Sequence, residues 1–469
     1  MKQLKRKLDN MRLLVVGLAR SGTAAARLAD SFGASVTVTD IRSEKELKNN
    51  LLRLSPRTTV RLGKITASEC ASFDLVILSP GVNPEQDWIR EAESKGTRFV
   101  GEIEFASSLL EGRILGITGT NGKTTTTRLT GAMLSASGID NEVAGNVGTP
   151  LSEKVLLASR QGRKPLFVTE LSSFQLEKTE NLSCRIAVLL NCTPDHLDRY
   201  PDFETYRKTK LRIFRNQSDN DFTIVNADNP FLMKETSKLA SCCFPFSLSA
   251  PLDQGIFQEG EHFWAVRGGE RVQLLRKDDI RLRGGHNLEN VAASLAASFL
   301  SGANPESLSR AVRGFNGLEH RLEFVTDIAG VDYFNDSKST TCQSTCKAIE
   351  ALSGRIVLIM GGFDKGEDFS CLKPAVASRV SHLVLLGATA DKIKEKLQGA
   401  TEILMAADLE QAIATAASLA ASGETVLFSP ACASFDMFND YEHRGKTFKS
   451  LLLSHKSTRN HRLSEVNSE

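Results

Sequence analysis

Short apolar or β-branched runs alternate with longer helix-like stretches along almost the whole chain, and this alternation constrains the fold more than any other feature. The first such runs are residues 13–16, 36–39 and 75–78. Strands that alternate with helices build βαβ units and parallel sheets, so the pattern predicts an α/β fold. A chain of 469 residues exceeds the size of one hydrophobic core, and two or three domains are therefore expected.

The runs fall into three blocks, which predict three domains. We place these domains at residues 1–105, 106–317 and 318–469. Many of the runs end in polar or glycine-rich segments, for example at Gly119 and Ser429. Ligands of open parallel sheets bind outside the carboxyl ends of the strands, so we expect the chemistry of this chain at those ends.

Charge and cysteine usage exclude several classes of protein. The net charge of +2, from 58 basic and 56 acidic residues, gives no electrostatic reason to expect nucleic acid or a membrane as partner. The nine cysteines include no C-x-x-C pair, which favours reduced thiols in the cytoplasm. The basic segment from Lys2 to Lys7 is expected to be a solvated arm, because no apolar run of a signal peptide follows it, and no stretch reaches transmembrane length.

The strongest single motif is Gly-Thr-Asn-Gly-Lys-Thr at residues 119–124, between an apolar strand and a helix. Glycines let backbone N–H groups approach phosphate oxygens, and the start of the helix adds positive potential. Lys123 is expected to reach the terminal phosphates and the Thr124 hydroxyl to contact Mg²⁺. Ile117 stands where the standard phosphate-loop pattern has its first glycine, so a plain strand-to-helix turn is the alternative.

With its neighbours, this loop resembles that of the Mur ligases, a family that includes the folylpolyglutamate synthetases. The family's loop reads T-G-T-N-G-K-[ST], as residues 118–124 do. Four further segments are similar to the family: residues 170–177, 191–200, 286–290 and 319–323. The resemblance covers nearly the whole chain. It implies an N-terminal Rossmann-like domain for the UDP end of the substrate, a central P-loop ATPase-like domain with a mostly parallel sheet, and a C-terminal Rossmann-like domain for the amino acid.

Two segments of the third block, residues 335–340 and 427–436, are similar to the D-glutamate-adding member of the family. The D-N-P-R string of the diaminopimelate-adding member is absent. The resemblance therefore implies an ATP-dependent ligase that adds D-glutamate to UDP-N-acetylmuramoyl-L-alanine in peptidoglycan precursor synthesis. ATP would convert the substrate carboxylate to an acyl phosphate, and ADP and phosphate would be released. A cytoplasmic monomer is expected.

The resemblance assigns catalysis to Lys123, His196 and Lys210. It also implies a metal site at Thr124, Glu170, His196 and, if carbamylated, Lys210. A carboxylate and an imidazole at strand ends can hold a metal that bridges ATP and the acyl group. Taken alone, Glu170 could instead cap a helix, His196 could be a core histidine, and Lys210 could be one cation of a basic helix face.

The nucleotide site implied by the family comprises Gly119, Thr120, Asn121, Gly122, Lys123, Thr124, Thr125, Asn290, Arg321, Asp336 and Lys338. Arg321 can clamp a phosphate with two hydrogen bonds as the third block closes around ATP. Asp336 is expected to bind ribose hydroxyls or to orient Lys338. A salt bridge at a hinge is the alternative role of Arg321.

The positions implied for the UDP substrate are Ser21, Asp40, Arg42, Asn146 and Ser172. The positions implied for D-glutamate are Thr340, Lys365, Ser434 and Tyr441. A dicarboxylate needs a cation and several donors, which suits Lys365 in its glycine-rich loop. The family often has Phe where Tyr441 stands. The alternatives are a simple turn at residues 145–148, a solvated Lys365 and a helix-capping Ser434.

Three other functions stay open on the sequence. The chain could be a Mur-family ligase for another amino acid, or a P-loop nucleotide hydrolase without ligation. It could also be an NAD-linked oxidoreductase, because residues 17–22 resemble a dinucleotide-binding turn; however, Ala19 replaces the middle glycine. The Glu170 and His196 motifs and the third-block segments favour the ligase.

Overall fold

The computed structural model describes residues 8–196, 199–282 and 284–466, and the side chains up to residue 457. The expected arm from Lys2 to Lys7 lies outside the described residues. The chain forms two compact units: the first extends to Ile280 and includes His286–Phe315, and the second contains Arg281–Gly285 and the residues from Asn316 onward.

The first unit begins with a five-stranded parallel sheet in the order β3-β2-β1-β4-β5. Its strands are β1 (Arg12–Val16), β2 (Ser35–Thr39), β3 (Thr59–Val60), β4 (Leu75–Leu78) and β5 (Phe99–Gly101). Its helices are Arg20–Ser31, Glu44–Leu51, Ala67–Cys70, Asp87–Ser94 and Glu102–Leu109. Leu13, Leu14 and Val15 are fully buried, as expected for a parallel strand that is covered on both faces.

A second parallel sheet follows, with six strands in the order β11-β10-β9-β6-β8-β7. Its strands are β6 (Arg113–Thr118), β7 (Asn141–Gly145), β8 (Leu166–Glu170), β9 (Ile186–Leu189), β10 (Phe222–Val225) and β11 (Cys242–Cys243). The helices of this part are Lys123–Ala136, Leu151–Gln161, Ser173–Leu176, Phe203–Leu211, Pro230–Thr236, Gly285–Leu300 and Pro305–Gly314, with a 3₁₀ turn at Arg212–Phe214.

A small four-stranded sheet, which the sequence analysis does not predict, follows the second sheet. Its strands are β12 (Phe246–Ser247), β13 (Gly255–Glu259), β14 (His262–Arg267) and β15 (Glu270–Arg276), and a 3₁₀ turn at Lys277–Asp279 follows. The pairs β13–β14 and β14–β15 are antiparallel, whereas β12 pairs with β13 in parallel.

One hydrophobic core joins the first two sheets. It includes Val38 of the first sheet, Phe167 of the second and Phe105 of the helix Glu102–Leu109. That helix packs against Arg20–Ser31 and Leu151–Gln161. The domain boundary expected after residue 105 falls inside this helix, so the first two blocks share a structural element as well as a core.

The second unit contains a six-stranded sheet in the order β16-β17-β21-β18-β19-β20. Its strands are β16 (Glu323–Ile328), β17 (Val331–Asn335), β18 (Ile356–Gly361), β19 (Val380–Leu386), β20 (Glu402–Met405) and β21 (Thr425–Phe428). Its helices are Cys342–Ala351, Lys373–Arg379, Ala390–Leu397, Leu409–Leu419 and Tyr441–Val466, with a 3₁₀ turn at Phe369–Leu372. Among the described strands of this sheet, β16 and β17 pair in antiparallel fashion, and the other neighbouring strands pair in parallel.

Helices cover both faces of that sheet. Leu358 and Met360 of β18 enter one core, and Val357 and Ile359 enter the other, because alternate residues of a strand face opposite sides. The α/β fold with mostly parallel sheets is thus confirmed. Within the described part of the chain, no helix is both long and apolar enough to cross a membrane.

Candidate active site

The loop expected to bind phosphate lies at the carboxyl end of β6, directly before the helix Lys123–Ala136. Gly122 takes a left-handed conformation with φ of 84°. A Cβ at this position would overlap with Oδ1 of Asn290, so the turn requires glycine. Asn290 is buried and also accepts a hydrogen bond from the Thr126 hydroxyl at 3.3 Å. The structure therefore places Asn290, a position predicted for the nucleotide site, against the loop.

A second loop, which follows β9, holds the phosphate loop in place. The side chain of Asn191 accepts a hydrogen bond from the backbone N–H of Asn121 at 2.9 Å and donates one to the Asn121 carbonyl at 3.2 Å. The backbone N–H of Thr120 donates to the Asn191 carbonyl at 3.1 Å. The Thr120 hydroxyl accepts from the N–H of Thr193 at 3.1 Å. This role of Asn191 is not predicted by its sequence motif.

Two lysines lie against this loop. Lys123 Nζ donates to the carbonyls of Gly119 and Thr120 at 2.9 and 2.8 Å. Lys210 Nζ donates to the Gly119 carbonyl at 2.8 Å and lies 4.7 Å from the centre of the Tyr206 ring. Lys210 is 1% exposed, so it faces the loop and is not a surface cation of its helix. Burial and the positive charge of Lys123 lower the pKa of Lys210 to about 7.

Glu170 and Thr124, two positions of the expected metal site, line one cavity of about 420 Å³. Glu170 ends β8, is 2% exposed and accepts a hydrogen bond from Asn146 Nδ2 at 3.2 Å. Arg128 and Lys154 line the same cavity and were not predicted. A carboxylate and a hydroxyl are hard oxygen donors, which fit a magnesium ion that keeps some of its waters and binds nucleotide phosphates.

His196, the remaining position of that site, lies beside an aromatic group. Its ring centre is 4.8 Å from that of Phe174 and 6.3 Å from that of Tyr206, and Nε2 lies 3.7 Å from a carboxylate oxygen of Asp195. The side chain is 45% exposed, so His196 is not a core histidine. Residues 197 and 198 lie outside the described residues.

The described residues contain no group of three or more His, Cys, Asp and Glu side chains that could hold a metal ion by themselves. The structure instead divides the expected metal positions between two places. Thr124 and Glu170 share the cavity, whereas His196 and Lys210 both lie beside Tyr206. Tyr206 in turn lies within hydrogen-bonding distance of the Thr120 hydroxyl, at 3.1 Å.

The positions expected to bind the UDP substrate form local contacts. Asp40 accepts hydrogen bonds from the N–H of Leu18 at 2.6 Å and from Nη2 of Arg42 at 2.7 Å. Burial alone would raise the pKa of Asp40, but Arg42 and the backbone donors outweigh burial and lower it to about 2. Ser21 lies in the first turn of Arg20–Ser31. Ser172 caps the helix Ser173–Leu176 through the N–H of Gln175, so its observed role is structural.

In the second unit, the nucleotide positions lie together at the end of β17. Asp336 is 4% exposed and accepts hydrogen bonds from the N–H of Leu322, next to Arg321, at 3.1 Å and from the Ser429 hydroxyl at 2.7 Å. Burial raises the pKa of Asp336 to about 6. Lys338 Nζ lies 3.7 Å from the centre of the Tyr441 ring, so a nucleotide position and a D-glutamate position are in contact.

The loops that carry Lys365 and Ser434 pair with each other. The N–H of Phe363 donates to the Ala433 carbonyl at 2.9 Å, and the N–H of Ala433 donates to the Phe363 carbonyl at 3.0 Å. Lys365 is exposed, whereas Ser434 is 2% exposed. Thr340, the last of these positions, is half-buried just before the helix Cys342–Ala351.

A buried arginine that the sequence analysis missed connects these segments. Arg444 is 2% exposed and donates to the carbonyls of Cys432 and Ala433, both at 3.0 Å. It also donates to the hydroxyl and the carbonyl of Ser337, at 3.0 and 2.8 Å. Burial lowers the pKa of Arg444 to about 10. Its position in a polar stretch of sequence gave no sign that it would be buried.

Parallel α/β sheets with a glycine-rich phosphate loop, a lysine on that loop and a buried carboxylate beside it define a nucleotide-binding α/β enzyme. Models of three domains match the chain: the Mur ligase MurD-like N-terminal domain at residues 11–101, the Mur ligase middle domain at 117–298, and the Mur ligase glutamate ligase domain at 320–432. This chain therefore belongs to the Mur ligase family.

Full-length relatives support this assignment. The UDP-N-acetylmuramoylalanine--D-glutamate ligase of Geotalea daltonii is 43% identical over 443 residues, which is 94% of this chain and 96% of the relative. The enzyme of that name from Geobacter sp. strain M21 is also 43% identical, over 94% of this chain and 97% of its own.

Solved structures support the fold at lower identity. The MurF ligase of Thermotoga maritima in complex with ADP matches with a TM-score of 0.58 and 15% identity, over 97% of both chains. The UDP-N-acetylmuramate-alanine ligase MurC of Thermotoga maritima matches with a TM-score of 0.57 and 18% identity, over 95% of this chain and 100% of its own. At such identities, the match concerns the fold alone.

Proposed function

We propose that this chain is an ATP-dependent ligase that joins D-glutamate to UDP-N-acetylmuramoyl-L-alanine in peptidoglycan precursor synthesis. The observation that carries the proposal is 43% identity to UDP-N-acetylmuramoylalanine--D-glutamate ligases over 94% of the chain. This span includes the second unit, where the family resemblance locates the choice of amino acid. The Thr-Gly-Thr-Asn-Gly-Lys-Thr loop at residues 118–124 supports use of a nucleotide.

The chemistry requires activation of a carboxylate. A carboxylate oxygen of the substrate attacks the γ-phosphorus of ATP, the bond to ADP breaks, and an acyl phosphate forms. The amine of D-glutamate then attacks the acyl carbon, and phosphate leaves. Because negative charges must approach each other in the first step, positioning and cationic stabilisation are the main contributions of the protein. Lys123 and the backbone of residues 119–125 supply them in this proposal.

Thr124 and Glu170 would hold Mg²⁺, which would neutralise charge on the nucleotide phosphates. Their shared cavity supports this assignment, and His196 and Lys210 complete it in the family pattern. An amine with a pKa of about 7 is partly neutral at neutral pH. Only a neutral amine adds CO₂, so burial of Lys210 favours the carbamate that the family resemblance implies.

The remaining roles are part of the same proposal. ATP is bound by Asn290, Arg321, Asp336 and Lys338. The UDP substrate is bound by Ser21, Asp40, Arg42, Asn146 and Ser172. D-Glutamate is bound by Thr340, Lys365, Ser434 and Tyr441. The contact between Lys338 and Tyr441 supports a site where nucleotide and amino acid meet. We also propose domains at 1–105, 106–317 and 318–469 in a cytoplasmic, monomeric enzyme that does not bind nucleic acid.

A ligation panel tests the proposal. The purified chain is incubated with UDP-N-acetylmuramoyl-L-alanine, ATP and Mg²⁺, and with D-glutamate, L-alanine or diaminopimelate in separate reactions. We expect ligated product, ADP and phosphate with D-glutamate alone, measured by mass spectrometry and phosphate release. Addition of a different amino acid would refute the specificity, and nucleotide hydrolysis that is independent of amino acid would favour a plain hydrolase.

A variant in the phosphate loop tests the mechanism. Lys123→Ala should abolish phosphate transfer while its circular dichroism spectrum stays that of the wild type, because Lys123 contacts the loop surface and not the core. Lys95→Ala, which removes an exposed lysine of the same unit, is the matched control. Normal ligation by the Lys123 variant would contradict the role of the loop.

A further inference from the structure

Three cysteines lie together in the second unit, near the loop that carries Lys365. Cys342 and Cys346 lie one turn apart on the same face of the helix Cys342–Ala351. Cys371 belongs to the 3₁₀ turn Phe369–Leu372, which packs against that helix. Cys346 Sγ donates a hydrogen bond to the Cys371 carbonyl at 3.8 Å, and the thiols of Cys342 and Cys371 are close enough to interact.

The three thiols differ in access to solvent. Cys371 is exposed, Cys346 is half-buried and Cys342 is 2% exposed. Burial raises the pKa of both Cys342 and Cys346, so these two residues stay protonated and do not react first. Cys371 is therefore the point at which a reagent from solvent enters the cluster.

A carboxylate completes the arrangement. Glu367 Oε2 accepts a hydrogen bond from the backbone N–H of Cys342 at 3.0 Å, and its carboxylate is also close enough to interact with the Cys342 thiol. This carboxylate can accept the thiol proton when Cys342 acts as a nucleophile. In the part of the chain that the structure describes, no cluster of His, Cys, Asp and Glu could hold a metal ion, so thiol chemistry suits these residues better than metal binding.

We propose that Cys342 and Cys371 form a redox-active dithiol that a peroxide converts reversibly to a disulfide. The exposed Cys371 sulfur attacks one oxygen of hydrogen peroxide, the O–O bond breaks, and a sulfenic acid and water result. Cys342 then gives its proton to Glu367, and its sulfur attacks the Cys371 sulfur. The S–S bond forms, the S–O bond of the sulfenic acid breaks, and hydroxide leaves. The hydroxide takes up the proton held by Glu367 and becomes water. Two thiols lose two electrons in total, and one peroxide becomes two waters.

The disulfide would act on the loop between β18 and the turn Phe369–Leu372. Asp364 Oδ1 accepts the N–H groups of Gly366 and Glu367 at 2.8 and 3.2 Å, so the loop is closed on itself around Lys365. Its attachment to the helix is the hydrogen bond from Cys342 to Glu367. A disulfide ends the interaction of the Cys342 thiol with Glu367, so the loop is held to the helix less tightly, with the backbone hydrogen bond left in place. Because the proposed function assigns Lys365 to D-glutamate, oxidation is expected to raise the KM for D-glutamate, and this consequence rests on the proposed function.

Disulfide mapping tests the site without any reference to activity. The full chain is treated with hydrogen peroxide, quenched with catalase, alkylated, digested and analysed by mass spectrometry. We expect a peptide pair linked through Cys342 and Cys371, which dithiothreitol releases. Cys371→Ser, a change at an exposed position, should abolish the link, whereas Cys346→Ser should retain it. No linked peptide, a Cys346–Cys371 link, or overoxidation of Cys371 alone would overturn the proposal.

Kinetics test the consequence for the loop. The KM for D-glutamate should rise severalfold in the oxidised chain and return after reduction, whereas the KM for ATP should not change. Oxidised Cys371→Ser is the control for damage elsewhere. A mapped disulfide with unchanged KM for D-glutamate would refute the link to the Lys365 loop. Absence of ligation in the reduced chain would refute the proposed function and leave the mapping result valid.

Discussion

Replacement of Arg444 by methionine should destabilise the second unit, because this side chain donates four hydrogen bonds from a buried position. Its acceptors are three backbone carbonyls, of Ser337, Cys432 and Ala433, and one hydroxyl. Methionine fills part of the space but leaves all four acceptors without their donor. A buried acceptor without a donor has lost its hydrogen bonds to water and gained none in the protein, and this desolvation cost lowers the stability of the folded state.

The size of the effect follows from two opposing contributions. Hydrogen bonds to a charged group contribute about 1.5–3 kcal/mol each, so the four bonds of Arg444 offer a gross stabilisation of at least about 6 kcal/mol. Burial of the charge opposes this; the lowering of the pKa of Arg444 to about 10 corresponds to a cost of about 3 kcal/mol. We therefore expect Arg444→Met to lose about 3 kcal/mol of unfolding free energy, the difference between these two contributions.

Guanidinium unfolding of the full chain, followed by circular dichroism, measures this loss. Both tryptophans, Trp88 and Trp264, lie in the first unit, so fluorescence provides an internal control for that unit. Arg444→Lys keeps a charge without the planar donor fork and should lie between wild type and Arg444→Met. Lys446→Met, an exposed change on the same helix, should have little effect. A loss for Arg444→Met no larger than that for Lys446→Met would refute the reasoning.

Two further predictions concern the first unit. Burial and the charge of Lys123 lower the pKa of Lys210 to about 7 from 10.5, so its charged form destabilises the fold below about pH 7, and this cost disappears as the pH rises towards 10.5. In bicarbonate-free buffer, the unfolding free energy of the wild type should therefore rise with pH relative to that of Lys210→Met. A difference between the two unfolding free energies that does not change with pH would contradict the burial argument. Gly145→Ala should abolish ligation because its Cβ would overlap with the backbone of Glu170, whereas Gly148→Ala, also at positive φ but with open space around it, should remain largely active. Equal activities of the two variants would show that Gly145 does not hold Glu170 in place.

The sequence predicts the strands and the strand-to-helix loop at residues 119–124 well because their signals are local. The run at residues 13–16 corresponds to β1, Arg12–Val16, and the run at residues 75–78 corresponds to β4, Leu75–Leu78. Each is a short buried strand whose residues are apolar on both faces, which a single segment of sequence reveals. The glycine at position 122 likewise signals its left-handed conformation without knowledge of the fold.

The missed features depend on contacts between distant segments. Asn191 and Asn121 are 70 positions apart, and Arg444 and Ser337 are 107 positions apart. Neither asparagine nor arginine carries a local sign of the partner it finds in the fold. The sheet of strands β12 to β15 was missed for another reason: its exposed faces dilute the apolar pattern, as in β15, where most positions are not buried.

Lys210 and Arg444 illustrate one way in which both units hold their site loops. Each is a buried cation without a carboxylate among the hydrogen-bond acceptors described for it, and each donates to backbone carbonyls of a loop at the end of a strand. Burial lowers the pKa of both, so each charge carries a desolvation cost, which for Arg444 its four hydrogen bonds outweigh. Buried charges that carry such a desolvation cost are tolerated where they fix geometry that function requires. The two loops held in this way lie beside Lys123 and Ser434, which is where the proposed ligase needs fixed positions for phosphate and amino acid.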